Sequence, residues 1–302
     1  MSKKLILLIT SSIDETASYM IKKFNGDVVF FRLDIDRFDQ YVFSIIEGGW
    51  KISSGYRSVS MQQVHSIYYR KPVLPDLHLF DPQYHAMIQR DIISVVNGIA
   101  DSFQGTVLTK PSVLRKTENK VYQLICAQKF GFQMPQSYIG NSNHACMTFS
   151  SQDSIIKPIS TGKTYGPNGY EIYQTSLFHD SINEVSLTPV YLQSYIPKAY
   201  EVRVTIIGKK VYPVRIDTNN KIDWRADYVN HRYSLVSMPD AILQKCFQMM
   251  KAFGLSFGAF DFIVTPDEHW VFLEVNPNGQ WLWLESSLSL DISNSIVHLL
   301  LQ

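Results

Sequence analysis

The stretch DFIVTPDEHWVFLEVNPNGQW, residues 261–281, constrains the fold more than any other part of the chain. Two apolar runs flank TPDEH, whose Pro and Asp favour a turn, and so predict an antiparallel hairpin. Carboxylates stand inside that hairpin: Asp261 in the first run and Glu274 near the end of the second. With a four-residue loop over 266–269, Thr265 faces Trp270 and Asp261 faces Glu274. Opposed side chains in such a ladder lie about 5 Å apart. Two carboxylates that close repel each other unless a cation joins them or one is protonated. A salt-bridged pair on a solvated strand is the ordinary alternative. Phe260, Phe262, Val271, Phe272, Leu273 and Val275 argue against it, because they mark both strands as buried. Asn276 brings a third oxygen two residues past Glu274. Ligands that are all oxygen select Mg²⁺ over zinc or copper.

The rest of the chain supplies the frame. Its 302 residues, 45% of them hydrophobic, suffice for one large domain or two to three small ones. A net charge of +1 gives no basic field for nucleic acid. Three scattered cysteines, Cys126, Cys146 and Cys246, form no metal or disulfide pattern and fit a reducing cytoplasm. The opening MSKKLILLIT has a basic start and a short apolar run. SSIDETASYM follows it without a cleavage pattern, so it reads as a first buried strand rather than a signal peptide. No apolar stretch is long enough to span a membrane.

KKLILLIT, a helix over 16–24 and DVVFFRLD form a βαβ opening, which predicts a small parallel α/β domain. Short strand-like runs fill 41–69, and HSIYYRKP leads into a long helix over about 81–103. In that helix Met87, Ile88, Ile92, Val95, Val96 and Ile99 recur at helical spacing. LTKP at 108–111 marks a boundary, followed by a helix over 117–130 that Gly131 stops. QSYIG, SIIKPI, PVYLQSYI, EVRVTIIG and KVYPVRID read as strands, with Gly208-Lys209 turning a hairpin. MPDAILQKCFQMMKAFG is an amphipathic helix, and a C-terminal helix follows the metal hairpin.

STGKTYGPNGY is a glycine-rich loop after a strand that carries Lys157. Its Gly162-Lys163-Thr164 looks like the tail of a P-loop. That motif needs glycine at 157 and a following helix, and the chain has neither. The loop reads instead as an ordinary hairpin loop or as a phosphate cover whose free N–H groups point at anionic oxygens.

Taken in order, these features resemble the ATP-grasp fold. A lysine opens a helix (Lys120 in TENKVYQLICAQKFGFQMPQSYI) and a second ends a strand (Lys157 in SIIKPI). The glycine-rich segment resembles the lid, YLQSYIPKAYEVRVTIIG resembles the adenine hinge, and the D…E-x-N hairpin comes last. The resemblance covers about residues 108–302. YYRKP at 68–72, RID at 215–217, DWR at 223–225 and above all NPNGQWLWLE at 276–285 resemble the microviridin-type peptide ligases, the graspetide synthetases. The implied fold is α/β (α+β ATP-grasp) with antiparallel sheets in its ATP-grasp part. It divides into an N-terminal pre-ATP-grasp α/β domain over 1–108, a central subdomain with leader-binding region and lid over 109–190, and a C-terminal subdomain with the metal site over 191–302.

The resemblance implies an enzyme that uses ATP and Mg²⁺ to join side chains of a ribosomal precursor peptide, its leader docking near 136–149. Esters are the expected product. Amides, amino-acid addition to a small molecule or protein tail, and a non-catalytic binding relic are the alternatives. By the same resemblance Lys120 and Lys157 contact phosphates, Gly162 and Gly166 belong to the lid, and Gln193, Tyr195 and Ile196 lie along the adenine. Lys198 and Glu201 reach the ribose. Asp261, Glu274 and Asn276 hold Mg²⁺. Arg203 and Arg215 serve the substrate carboxylate and acyl phosphate, while Asp223, as base, and Arg225 stand at the substrate mouth with His231. Arg70 and Lys71 meet acidic residues of the peptide. Trp281 and Trp283 are expected in the core. Homodimers are common in that family, so a second copy of the chain is a further candidate partner.

Overall fold

The computed structural model describes residues 3–160, 163–166, 169–178, 185–222 and 231–302. The chain opens as expected, with β1 (Leu5–Thr10), α1 (Glu15–Lys23) and β2 (Val29–Asp34). Asp14 caps α1 by accepting from the backbone N–H groups of Thr16 and Ala17, which removes two of the orphan donors of the first turn. β6 (Ser66–Tyr69) and β7 (Thr106–Leu108) complete a parallel sheet of order β2-β1-β6-β7. Both faces are covered, as an all-parallel sheet requires. Ile6 and Leu8 point to one core and Leu7 and Ile9 to another. α2 (Pro82–Ser102) covers the second face through Ile92, Val96 and Ile99. Met87, expected on the apolar stripe, is half exposed instead. A three-stranded antiparallel sheet of β3 (Val42–Ile46), β4 (Gly49–Ser54) and β5 (Arg57–Ser60) extends this region.

The helix expected over 117–130 is present but begins three residues later, and a short helix that was not expected precedes it. α3 (Pro111–Thr117) starts at a proline, and α4 (Lys120–Lys129) starts after Asn119, whose side chain accepts from the Tyr122 N–H at 3.0 Å. That cap sets the start, so Lys120 sits at the first position of its own helix. β8 (Ser137–Gly140), α5 (Asn143–Ser150), β9 (Ser154–Lys157), β12 (Ser176–Phe178) and β13 (Val190–Ser194) follow. Their sheet has the order β12-β9-β13-β8 and is antiparallel. The glycine-rich segment carries its own hairpin, β10 (Lys163–Gly166) against β11 (Gly169–Ile172).

The last sheet holds β14 (Tyr200–Ile207), β15 (Lys210–Asp217), β16 (Arg232–Leu235), β17 (Phe257–Val264) and β18 (Trp270–Asn276), in the order β16-β15-β14-β17-β18. α6 (Asp240–Phe253) ends on Gly254 in the left-handed region and packs against one face, together with Val202, Val204, Phe260 and Phe262. The other face is apolar at one end, where Ile207, Val214 and Ala259 join Trp281, α7 (Leu282–Leu288) and α8 (Ile292–Leu300). α7 and α8 share that core with β1 and β6, which locks the C-terminal sheet onto the parallel one. Trp281 is fully buried there and Trp283 packs at its margin. Among the described residues no helix is long and apolar enough to cross a membrane.

Candidate active site

The remaining end of the C-terminal sheet carries the polar side chains. Antiparallel pairing puts directly opposed residues on one face. Arg203 on β14 opposes Asp261 on β17, which opposes Glu274 on β18. The expected opposition of Asp261 and Glu274 therefore exists, but not by the expected loop. Val264, not Thr265, pairs with Trp270, so the connection is one residue longer than a 266–269 loop. A bulge then shifts the register between Asp261 and Phe262 and restores the carboxylate pair. Leu273 is the extra residue, and with the alternation broken both Leu273 and Glu274 reach the same cavity.

Each carboxylate already holds a cation. Nη1 of Arg203 donates to both oxygens of Asp261 at 2.9 Å, and both side chains are buried. Nζ of Lys120, from the start of α4, donates to Glu274. The Asn276 amide nitrogen lies between the acids, 3.2 Å from Asp261 and 3.0 Å from Glu274. Gln123 fixes α4 to this hairpin. Its Nε2 donates to the carbonyls of Thr117 and Val275 at 2.6 and 2.8 Å, and its Oε1 accepts from the Val275 N–H at 3.1 Å.

The Asn-Pro-Asn-Gly turn closes on a 3.3 Å bond from the Gly279 N–H to the Asn276 carbonyl. A Cβ at Gly279 would stand 2.8 Å from Nη2 of Arg203 and 2.8 Å from the Ala259 Cβ. Glycine is needed there because the guanidinium lies against the turn.

Between this sheet and the β12-β9-β13-β8 sheet lies a cavity of about 360 Å³, within the range of small-molecule sites. Lys120, Lys157, Gln193, Tyr195, Ile196, Glu201, Asp261 and Glu274 all line it. Lys157 lies 5.8 Å from the centroid of the Tyr191 ring that it opposes on β13. Burial pushes the Tyr191 hydroxyl up to about 12. Lys198 donates to Glu201, and both are buried.

A second cavity, of about 610 Å³, adjoins the first, and Lys120 and Ser160 line both. Arg70, Lys71, Arg115 and Glu118 line it as well. Arg70 is 1% exposed and turns its donors inward. Nε and Nη2 bind Asp14 at 2.6 and 3.3 Å, Nη2 reaches Gln280 at 2.7 Å, and Nη1 reaches the Tyr68 hydroxyl at 3.2 Å. Its guanidinium is thus a clamp between the parallel sheet and the C-terminal turn. Lys71 differs. Burial holds its ammonium below the usual lysine range, helped by Arg70 and Arg203 and opposed by Glu118.

The structure does not bring Arg215 to Arg203. Arg215 opposes Val202, so it occupies the other face, where it pairs with Asp217 at 2.6 Å and stacks 3.9 Å from the Tyr200 ring centroid. His231 precedes the edge strand β16, makes a 3.0 Å contact with the Tyr233 hydroxyl, and lines neither cavity. Gly166 ends β10, at the β10–β11 connection. Gly162, Asp223 and Arg225 lie outside the described residues. Sequence reading missed Tyr191, Gln123 and Glu118. Tyr191 had a signal, since Tyr191, Gln193 and Tyr195 recur at strand spacing. Gln123 and Glu118 had none, because each depends on contacts distant in sequence.

Several features fit a nucleotide with Mg²⁺. Along the hinge, the Ile196 N–H and Tyr195 carbonyl make no bond to described residues, which leaves a donor and an acceptor for a base edge. Oε1 of Gln193 and Nε of Arg203 are buried without partners among the described residues. No three His, Cys, Asp or Glu side chains gather into a metal cage among the described residues. That also fits, because Mg²⁺ is usually held by one or two carboxylates plus phosphate oxygens and water. The Asn276 amide turned over would supply its oxygen where its nitrogen now sits.

Two sheets clasping a cavity with two lysines and an acid pair form the ATP-grasp fold, whose class is the ATP-dependent carboxylate ligases. Comparison narrows the class. Over 99% of both chains, the macrocyclase MdnC of Microcystis aeruginosa MRC, solved with precursor peptide MdnA, is similar at 26% identity and a TM-score of 0.88. MdnB, a macrocyclase of the same organism, is 27% identical over 98% of this chain and 99% of its own, with a TM-score of 0.81. A RiPP-associated ATP-grasp ligase of Chryseobacterium gregarium, in complex with ADP and a leader and core peptide, shares 24% identity. It covers 98% of this chain and 96% of its own, at a TM-score of 0.85. No protein-family model matches the chain, and no curated protein does. The chain has the fold of an ATP-grasp ligase, and its structure matches macrocyclases of the graspetide type, as its motifs led one to expect.

Proposed function

We propose that this chain is an ATP-dependent ligase that forms side-chain ω-ester crosslinks in a ribosomally made precursor peptide. The meeting of the two cavities at Lys120 carries the reading. One cavity has the groups that suit a nucleoside triphosphate, and the adjoining one is rich in cations and opens toward the parallel sheet. A carboxyl group in the second cavity then lies next to the phosphate end of the first.

The chemistry follows from the weakness of a carboxylate as an acyl donor. Transfer of the γ-phosphoryl group of ATP to a peptide carboxylate makes an acyl phosphate, with phosphate as a good leaving group. Phosphoryl transfer needs positioning and charge neutralisation more than covalent help. Lys120 and Lys157 neutralise phosphate oxygens. Gln193, Tyr195 and Ile196 hold the base, and Lys198 with Glu201 holds the ribose. Asp261, Glu274 and the Asn276 amide would hold Mg²⁺, which when bound offsets the charge on the phosphates. Arg203, held by Asp261, serves the carboxylate being activated and its acyl phosphate. Lys71, a partly buried ammonium held in the second cavity, selects acidic side chains. The leader docks near 136–149, on β8 and α5. A second copy of the chain completes the assembly, and light scattering of the purified protein tests that.

The test uses a precursor peptide with an acidic, hydroxyl-rich core, sought among the genes flanking this one, incubated with the protein, ATP and Mg²⁺. Loss of one water per crosslink, read by mass spectrometry with ADP formed in step, is the expected result. Mild alkaline hydrolysis reopens esters and spares amides. An unchanged peptide with no ADP would overturn the proposal.

A further inference from the structure

Four carboxylates line the two cavities among the described residues: Glu201, Asp261, Glu274 and Glu118. The first three are held directly by Lys198, Arg203 and Lys120. Glu118 is the exception. It caps the end of α3, fixed by a 2.8 Å bond from its backbone N–H to the Leu114 carbonyl. Its carboxylate makes no hydrogen bond or ion pair with any described residue. Yet Lys71 and Lys120 both act on it at electrostatic range. Glu118 keeps part of its side chain open to solvent, and desolvation by the cavity walls still outweighs the pull of the lysines and raises its pKa. It therefore stands in the peptide-side cavity, two residues from the lysine shared with the nucleotide cavity, with its lone pairs uncommitted.

Asp223, the expected base, lies outside the described residues, and none of the described residues has yet been given the task of removing a proton. A hydroxyl that attacks an acyl phosphate must lose its proton as the new bond forms. A carboxylate already neutralised by a direct cation is a poor acceptor. One that lines the cavity without a direct cation is a better one. We propose that Glu118 is the base that takes the proton of the attacking group, an inference that rests on the ligase reading above. The nucleophile's oxygen bonds to the acyl carbon, and its proton passes to a Glu118 oxygen. The bond from acyl carbon to phosphate oxygen breaks, and phosphate leaves with the electron pair. Glu118 then returns the proton to the departing phosphate or to solvent, so no co-reactant is needed.

The experiment separates activation from attack. Wild type, Glu118→Gln and Glu118→Asp are each given a precursor peptide that the wild type crosslinks, ATP and Mg²⁺, with and without hydroxylamine. Hydroxylamine is a strong neutral nucleophile that captures an acyl phosphate as a hydroxamate without help from a base. In Glu118→Gln the crosslinking rate should fall by about 100-fold or more, the usual share of a general base. Hydroxamate should still form at the wild-type rate, which also shows that the variant is folded. Glu118→Asp should recover part of the crosslinking. Crosslinking at the wild-type rate in Glu118→Gln would overturn the proposal. Loss of hydroxamate together with crosslinks would overturn it too, by placing Glu118 in binding or activation. If wild type forms neither ADP nor crosslinks with any candidate precursor, the ligase reading itself fails and the proposal falls with it.

Discussion

Replacing Gly279 with alanine tests whether the turn after β18 exists to seat Arg203. The added methyl would stand 2.8 Å from Nη2 of Arg203 and 2.8 Å from the Ala259 Cβ, with the Asn276 Cβ at 3.3 Å. The guanidinium end is movable in principle, but it is buried and committed to Asp261. Ala259 cannot move, because it is fully buried on β17. Overpacking of this kind costs about 1–3 kcal/mol. If a chain of this length melts as one unit, the midpoint falls by about 2 °C per kcal/mol, so the expected shift is roughly 2–6 °C. The effect on chemistry should be larger. Displacing a positioned group by about 1 Å costs on the order of 100-fold in rate. Differential scanning calorimetry reads the first quantity, and crosslinking of the peptide with ATP reads the second. Ala259→Gly in the Gly279→Ala background removes one of the two close contacts and should restore part of both. Wild-type stability and rate in Gly279→Ala would refute the packing argument. So would a double variant no better than the single one.

Three further outcomes follow from the same geometry. Glu274→Gln should abolish ATP-dependent ligation while circular dichroism stays that of the wild type, since the acid sits on a well-packed strand but anchors both Lys120 and the expected metal. Gln123→Leu should destabilise by about 2–4 kcal/mol in urea unfolding, because it orphans the Val275 N–H and the carbonyls of Val275 and Thr117. Asp14→Asn leaves the buried Arg70 uncompensated and should cost about 3–5 kcal/mol. Burial alone would raise the pKa of Asp14, but its bonds to Arg70 prevail and hold it below 3.8. Its contribution is therefore fully present above that pH and lost as pH falls through the lower folded value. The wild type should lose stability on acidification there, and the variant should show a flatter acid limb.

The legible parts of this molecule were those that local pattern dictates. Continuous apolar runs marked β17 and β18 as buried, and the paired acids then demanded a cation. Helical spacing from Met87 to Ile99 announced α2, and Gly254 after Phe253 announced the end of α6. What stayed hidden depends on contacts between distant segments. The bulge at Leu273 has no marker in the sequence, and a one-residue error in the loop was cancelled by it. Thr117 read as the start of a helix that begins at Lys120, and only the cap bond of Asn119 shows the true start. Arg70 looked like a peptide contact because Asp14 and Gln280, which bury it, lie 56 and 210 positions away. Arg203 and Arg215 look equivalent as neighbours on consecutive strands. Parity decides between them, and a shift of one residue in pairing exchanges the faces.

The site's own ion pairs explain how such a cluster survives inside a fold. Two acids at opposed strand positions would repel, but Arg203 and Lys120 neutralise them and the Asn276 amide bridges the oxygens. A magnesium nucleotide must then exchange partners rather than fill bare charge. On the proposed reading, Lys120 would turn from Glu274 to phosphate and the amide of Asn276 would turn over. Each exchange swaps one charge-assisted bond for another of similar strength, so little net electrostatic energy is gained from any one of them. Affinity must come from completing several exchanges at once. Gln123 is central to that, because it ties the helix carrying Lys120 to the strand carrying Glu274. Partial loss of that tie should weaken nucleotide binding and crosslinking together, even though Gln123 lines neither cavity.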